Sequence, residues 1–381
     1  MEPNEDDAHE VCGVLNPACA RGPDGELYLF PRLVAEGNYS RIGVARVRFN
    51  EAGDPVSVER LGIALEPTET YEKNPVTGGG CEDPRISYIA SLGRYVMSYT
   101  AFSPDGPRIA VAVSTDLLAW ERLGLVQFRG LRSDDLNAVD NKDAVLFPSL
   151  IAHPLTGQAA LALIHRPTFA GSPAYSFMDR WWDRPPATAG SIRAPGPMIA
   201  TPIKVAGQRL KHPSVWISYS QIGHGLYDLC SFDSHQRLMS PSRSWEREKV
   251  GGGAPPLLTP HGWLLLYHGV VYRAGHFRYS AGAVILDRDN PKRILYRTPR
   301  PILSPGADDQ LGIVPDVVFP TALDQRTDIG LPDRVDVYYG MADSRIGVAT
   351  LTLPHVLELI PPRPRTLTQA PLRDLPLSNA T

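Results

Sequence analysis

Residues 40–47 read SRIGVARV, and residues 344–351, at the other end of the chain, read SRIGVATL. Between them the same small-residue, β-branched pattern returns as PRIAVAVS from Pro107, SVWISYS from Ser214 and YSAGAVIL from Tyr279. An aromatic-rich run precedes each copy, and before that comes a strand-like segment with an internal proline. These segments are Val14-Leu15-Asn16-Pro17, Glu82-Asp83-Pro84-Arg85-Ile86, Lys142 to Pro148 (KDAVLFP), Gly253-Ala254-Pro255-Pro256-Leu257 and Val317-Val318-Phe319-Pro320. Their spacing is roughly 65 residues once an insertion of about 40 in the third unit is discounted, which marks an internal repeat. A unit of that length, made of short alternating runs between Gly, Pro and Asp turns, holds about four strands. One four-stranded sheet cannot bury both faces alone, whereas radially stacked copies do so as a propeller. The pattern predicts an all-β chain folded as a five-bladed β-propeller with its chemistry in the central channel; the alternative is a pair of β-sandwiches.

Composition agrees. The chain has 381 residues and 43% hydrophobic content, enough for a large core, while 37 prolines and 33 glycines interrupt any helical period. One propeller domain over residues 1–360, with a Pro-rich tail at 361–381, accounts for the length. A net charge of −3 and the lack of a basic stripe argue against a nucleic-acid partner. The acidic start MEPNEDDAHE has no apolar core, and no apolar run approaches membrane-spanning length, so no membrane association and a cytoplasmic location are expected. Cys12, Cys19, Cys81 and Cys230 lack C-x-x-C spacing and paired histidines, and read as reduced thiols rather than metal ligands. No metal or organic cofactor is expected.

The third unit is interrupted by a long loop, 169–212, rich in proline, arginine and aromatics. Loops of that length in a compact domain tend to be lids, binding loops or oligomer contacts. Trp181 and Trp182 are candidates to stack on a sugar or to anchor the loop. The loop and the propeller edges also offer surfaces for a homo-oligomer.

Polar residues beside the repeated prolines need an explanation, because equivalent points of the five units converge on the channel. Asp83, after a glycine run and before Pro84-Arg85, is a firmly held carboxylate with a guanidinium two residues on. As an isolated tripeptide it also reads as a turn salt bridge. Lys142, Arg166, Lys249 and His268, expected on two adjacent inner strands, make a cationic pocket suited to an anion, most simply phosphate. The glycines after Lys249 are not a phosphate loop of the Gly-Lys-Ser/Thr type.

These motifs, GCEDPRI, KDAVLFP, HRP, KVGGGAPP, YHGV, VPDVVFP and YYGMAD, in this order and spacing, resemble glycoside hydrolase family 130 from Val14 to the RIGVATL run. That family comprises inverting β-mannoside phosphorylases and related β-mannosidases on five-bladed propellers. The resemblance implies that Asp83 is the general acid, acting by relay through a hydroxyl of the bound mannose. It implies phosphate binding by Arg166, Lys249 and His268, with Lys142 at a position that is basic in many members. Asn16, Phe319 and Asp343 then look like mannose contacts, Tyr279 is a further candidate, and Arg85 and Asp316 are expected on the same substrate surface.

The expected reaction is attack of inorganic phosphate, a co-substrate, on a β-mannoside of a mannose-containing oligosaccharide, giving α-mannose 1-phosphate and an acceptor sugar. The alternative is an inverting β-mannosidase, which needs a second carboxylate about 6.5–9.5 Å from the acid as base on water. Asp316, where many relatives have asparagine, is the first candidate for that base, with Glu82 and Asp343 behind it. A non-catalytic carbohydrate-binding propeller is the third reading.

Overall fold

The run Trp263-Leu264-Leu265-Leu266-Tyr267 shows no polar alternation because its sheet is covered on both faces. Trp263, Leu265 and Tyr267 pack into one core with Val145, Ile164 and Ile217. Leu264 and Leu266 turn the other way, into a core with Val335 and Val337. Likewise Tyr95, Met97 and Tyr99 face Phe30 and Ile42, whereas Val96 faces Leu146 and Leu163. Burying a large aliphatic side chain contributes about 2 kcal/mol, so each shared core holds two sheets together.

The computed structural model describes residues 1–74, 78–130, 133–169, 212–306 and 312–353. Five blades follow in chain order, each with its first strand innermost. The first is Gly13–Arg21, Leu27–Ala35, Tyr39–Phe49 and Pro55–Leu65; the second is Gly79–Ile89, Arg94–Ser103, Gly106–Ser114 and Glu121–Leu125. The third is Asp140–Leu146, Ala159–Thr168, Val215–Gln221 and Ser231–Met239. The fourth is Lys249–Gly252, Gly262–Arg273, His276–Leu286 and Ile294–Arg297, and the fifth shows Val318–Gln325, Arg334–Met341 and Arg345–Thr352. The recurrent small-residue runs are therefore the third strands.

Ring closure joins the fifth blade to the first. Cys19, Leu27, Leu29 and Val47 share a core with Ala322 and Tyr338. The Val14 N–H donates to the Ser344 carbonyl at 3.0 Å, the Thr321 hydroxyl to the Pro17 carbonyl at 2.6 Å, and Arg21 holds Asp324 at 2.7 and 3.0 Å. No helix among the described residues is long and apolar enough to cross a membrane.

The repeat is aligned less by its prolines than by a backbone feature. Asn16, Asp83 and Asp143 all have positive φ, 45°, 47° and 56°. Each sits in a bulge where the inner strand slips register against the second strand. Asn and Asp tolerate the left-handed conformation, and a bulge re-aims its side chain. Pro17 and Pro84 follow that residue directly, but Ala144 takes the place in the third blade, and Pro148 lies beyond its inner strand.

A second repeat underpins two blades. PTETYE, 67–72, precedes the second blade as PSRSWE, 241–246, precedes the fourth. Glu72 is fully buried and accepts from the Thr68 and Glu69 N–H groups, the Tyr99 hydroxyl and Arg122. Glu246 does the same with the Ser242 and Arg243 N–H groups, the Tyr267 hydroxyl and Arg297. Glu72→Ala and Glu246→Ala each strand a buried tyrosine hydroxyl and an arginine. Each is expected to cost about 3–5 kcal/mol, measured as a lower denaturant midpoint, with the two effects additive because the sites lie in different blades.

Candidate active site

All five inner strands begin at the same end of the ring, and the turns between second and third strands surround that end. An open cavity lies there, lined from every blade. Asn16, Arg32 and Asn38 come from the first blade, Glu82, Asp83 and Phe102 from the second, and Lys142, Asp143, Arg166 and Thr168 from the third. Lys249, His268 and Tyr279 come from the fourth, and Phe319 and Asp343 from the fifth. Thr168 and Pro213, which flank the long insertion, are both on the lining. The insertion itself, with Trp181 and Trp182, lies outside the described residues, as does the 361–381 tail.

Part of the lining is acidic. Asp83 accepts a hydrogen bond from Asn16 Nδ2 at 2.8 Å and faces Arg32 Nη1 at 3.4 Å. Burial alone would raise its carboxyl, but the Arg32 and Arg85 guanidiniums and the Asn16 bond outweigh burial and hold it below the usual carboxylate range. Glu82 is tied down by Arg32 Nη2 at 2.8 Å and stands 3.7 Å from Lys142 Nζ. Asp343, in the turn between the last two strands, is pushed up to about 7, first by burial and then by the negative charge of Asp83, with Arg32 and Lys249 opposing.

Lys142, Arg166, Lys249 and His268 form a basic group on the same lining. Lys142 and Lys249 stand on inner strands as expected, but Arg166 and His268 come from second strands. The pairings Lys142 with Arg166 and Gly251 with His268 bring them level. Arg166 Nε donates to Asp143 Oδ2 at 2.5 Å, and Lys249 Nζ lies 4.9 Å from the centre of the Tyr279 ring. His268 is pushed down to about 3 by burial, with Arg166 and Lys249 adding to the effect and Asp143 opposing it.

Two expected substrate residues are placed elsewhere. Arg85 is fully buried and off the lining: Nε donates to the Gly253 carbonyl at 2.7 Å and Nη1 to the Asp83 carbonyl at 2.8 Å, while the guanidinium stacks on Phe319. It ties the second blade to the fourth across the axis. Asp316 is also off the lining, held by His276 Nε2 at 2.5 Å and Arg278 Nη1 at 3.2 Å. Arg32 was not among the expected residues, because a mid-strand arginine in LYLFPRLVA carries no motif. Among the described residues no group of three or more His, Cys, Asp or Glu is placed to hold a metal ion.

Five blades around a cavity lined by both carboxylates and cations have the make-up of a carbohydrate-active propeller. The sequence profile described as β-1,4-mannooligosaccharide phosphorylase, that of glycoside hydrolase family 130, matches residues 2–166 and 211–361, and the chain belongs to this family. It is 28% identical to a 1,2-β-oligomannan phosphorylase of Thermoanaerobacter sp. (strain X514), over 93% of this chain and 94% of that protein. The solved structure of a β-1,2-mannobiose phosphorylase from Listeria innocua, in complex with β-1,2-mannobiose, superposes with a TM-score of 0.62 at 23% identity, covering 92% of both chains. A structure from work on family members that are hydrolases targeting β-1,2 mannosidic linkages in Candida mannan superposes equally well, TM-score 0.62 at 21% identity, over 92% of this chain and 90% of that one. Fold alone does not separate phosphorolysis from hydrolysis.

The tightest point of the basic group is Gly251, where an added Cβ would lie 2.1 Å from Asp143 Oδ2 and 2.3 Å from His268 Cε1. Gly251→Ala is expected to weaken phosphate binding at least about tenfold by displacing that pair. Calorimetry with inorganic phosphate measures the loss, and an unchanged circular dichroism spectrum shows that the blades persist.

Proposed function

We propose that this chain is an inverting β-mannoside phosphorylase. The observation that carries the reading is that Arg166, Lys249 and His268, with Lys142, line the same cavity as Asp83. A dianion held there is oriented for attack on an anomeric carbon within the cavity, and its charge is offset by fixed cations. Asn16, Phe319, Asp343 and Tyr279 line the space left for the mannosyl unit. Asp83 supplies the proton to the departing oxygen, through a hydroxyl of the bound sugar, and Arg32 and Asn16 fix its carboxylate. The products are α-mannose 1-phosphate and an acceptor sugar, and the substrate class is a mannose-containing oligosaccharide.

A hydrolase on this frame needs an ionised carboxylate free to activate water. Asp316 is engaged by His276 and Arg278 away from the lining, and Glu82 by Arg32. Asp343, at about 7, is ionised on about half the molecules at pH 7 and is the carboxylate of the three left to serve a hydrolase. Phosphate as nucleophile needs no such base.

The reading predicts mannoside cleavage that depends on inorganic phosphate and yields α-mannose 1-phosphate, detected by phosphorus NMR. Release of free mannose at full rate without phosphate contradicts it. Asp83→Asn is expected to lower kcat by about 10²–10⁴, the usual contribution of a positioned acid, with little change in phosphate affinity.

Asp83 is ionised in the free protein, and the proton it delivers comes from Asp343, which at about 7 carries a proton on about half the molecules at pH 7. Loss of that proton adds a second negative charge beside the acid, so kcat/KM is expected to fall as pH rises through about 7. Asp343→Asn should flatten that limb of the pH profile while lowering activity overall.

A further inference from the structure

Asp143 takes no part in the chemistry above, yet it is a carboxylate buried among the groups that face an anion. Its left-handed backbone, φ 56°, and its bulge aim it between two second strands. Oδ2 accepts from Arg166 Nε at 2.5 Å and stands 3.6 Å from His268 Nε2. The bare backbone of Gly251 is what lets carboxylate and imidazole approach each other. His268 is 1% exposed, and among the described residues neither ring nitrogen has a hydrogen-bond partner. Phe319 lies against the ring at 4.4 Å between centroids and Tyr279 stacks at 6.1 Å, which shields it from water.

We infer that the Asp143–His268 pair makes anion binding proton-linked: His268 is neutral in the free protein and takes up one proton as a dianion settles against Arg166, Lys249 and the imidazole. The inference rests on the phosphate reading of this basic group. The proton comes from solvent and forms one N–H bond on the ring, and no other bond changes. The imidazolium then donates from both Nδ1 and Nε2, satisfying two buried nitrogens at once. The charged groups facing His268 are Asp143 and Arg166 from the third blade, Lys249 from the inner strand of its own blade and Arg85 from the second. Burial and three cations hold the ring neutral in the free protein. A dianion opposes those cations, and its charge adds to that of Asp143 in favouring the imidazolium. Asp143 is on this account a positioning residue, for the Arg166 fork and for a proton on His268.

Sulfate is the probe, since it keeps two charges well below neutral pH and contributes no protons of its own. Calorimetric titration at pH 5, in two buffers of different ionisation heat, counts the protons, because a bound dianion raises a ring that rests at about 3 by a few pH units. The intact protein is expected to take up about one proton per sulfate, with affinity falling up to about tenfold per pH unit as pH rises. His268→Gln should abolish the uptake, and Asp143→Asn should reduce it to less than half. If His268→Gln fails to fold, the proton count of Asp143→Asn decides. Sulfate binding without proton uptake, or uptake unchanged by either substitution, overturns the inference and leaves the phosphorylase reading standing. Failure of both sulfate and phosphate to bind overturns the two together.

Discussion

Every blade is apolar on both faces and must be covered on both. That requirement organises the rest of the molecule. Five shared cores, one between each pair of neighbours, satisfy it only if the fifth blade returns to the first. Closure is made by apolar packing and reinforced by the Arg21–Asp324 pair and the Val14–Ser344 bond. Once the ring is closed, the five inner strands have no choice but to start around one axis. The second-to-third turns then crowd around the same opening, which is why a residue from a turn, Asp343, meets residues from inner strands such as Asp83.

Charge in such a place is costly unless it is paired. Two unit charges 4 Å apart interact by about 4 kcal/mol at an effective dielectric of 20, so an unbalanced trio of cations would strain the third and fourth blades apart. Asp143 against Arg166 and Glu82 near Lys142 relieve that repulsion. The same two carboxylates leave the basic group only mildly positive, ready for an anion without demanding one. The acidic group is balanced in the same manner, with Arg32 shared between Glu82 and Asp83.

The blade count is legible in the third strands, which keep their small β-branched pattern even in the fifth blade, where Arg345–Thr352 is only partly buried. The prolines are a poorer guide. What the first three blades share is a left-handed Asn or Asp in a bulge, and proline follows it in only two of them. The cationic residues are legible as types, yet their strands are not, because cross-strand pairing brings Arg166 level with Lys142 and His268 level with Gly251. Arg85 and Asp316 show the limit most clearly. Both sit in motifs beside site residues, and both are engaged by another blade, Arg85 donating to the Gly253 carbonyl and Asp316 accepting from His276 and Arg278. The likeness of PTETYE to PSRSWE takes on meaning only in the fold, where each buries a glutamate under a blade.

By itself the chain's sequence determined the repeat, the number of blades, the family and the kinds of side chain gathered at the axis, since those follow from local periodicity and from short motifs. The tertiary structure decided which of those side chains face the cavity and what charge they carry there. That division has a physical reason. Strand pattern is set by near neighbours along the chain, whereas the ionisation of Asp343 or His268 depends on burial and on charges contributed by other blades, at distances in space that no sequence spacing encodes.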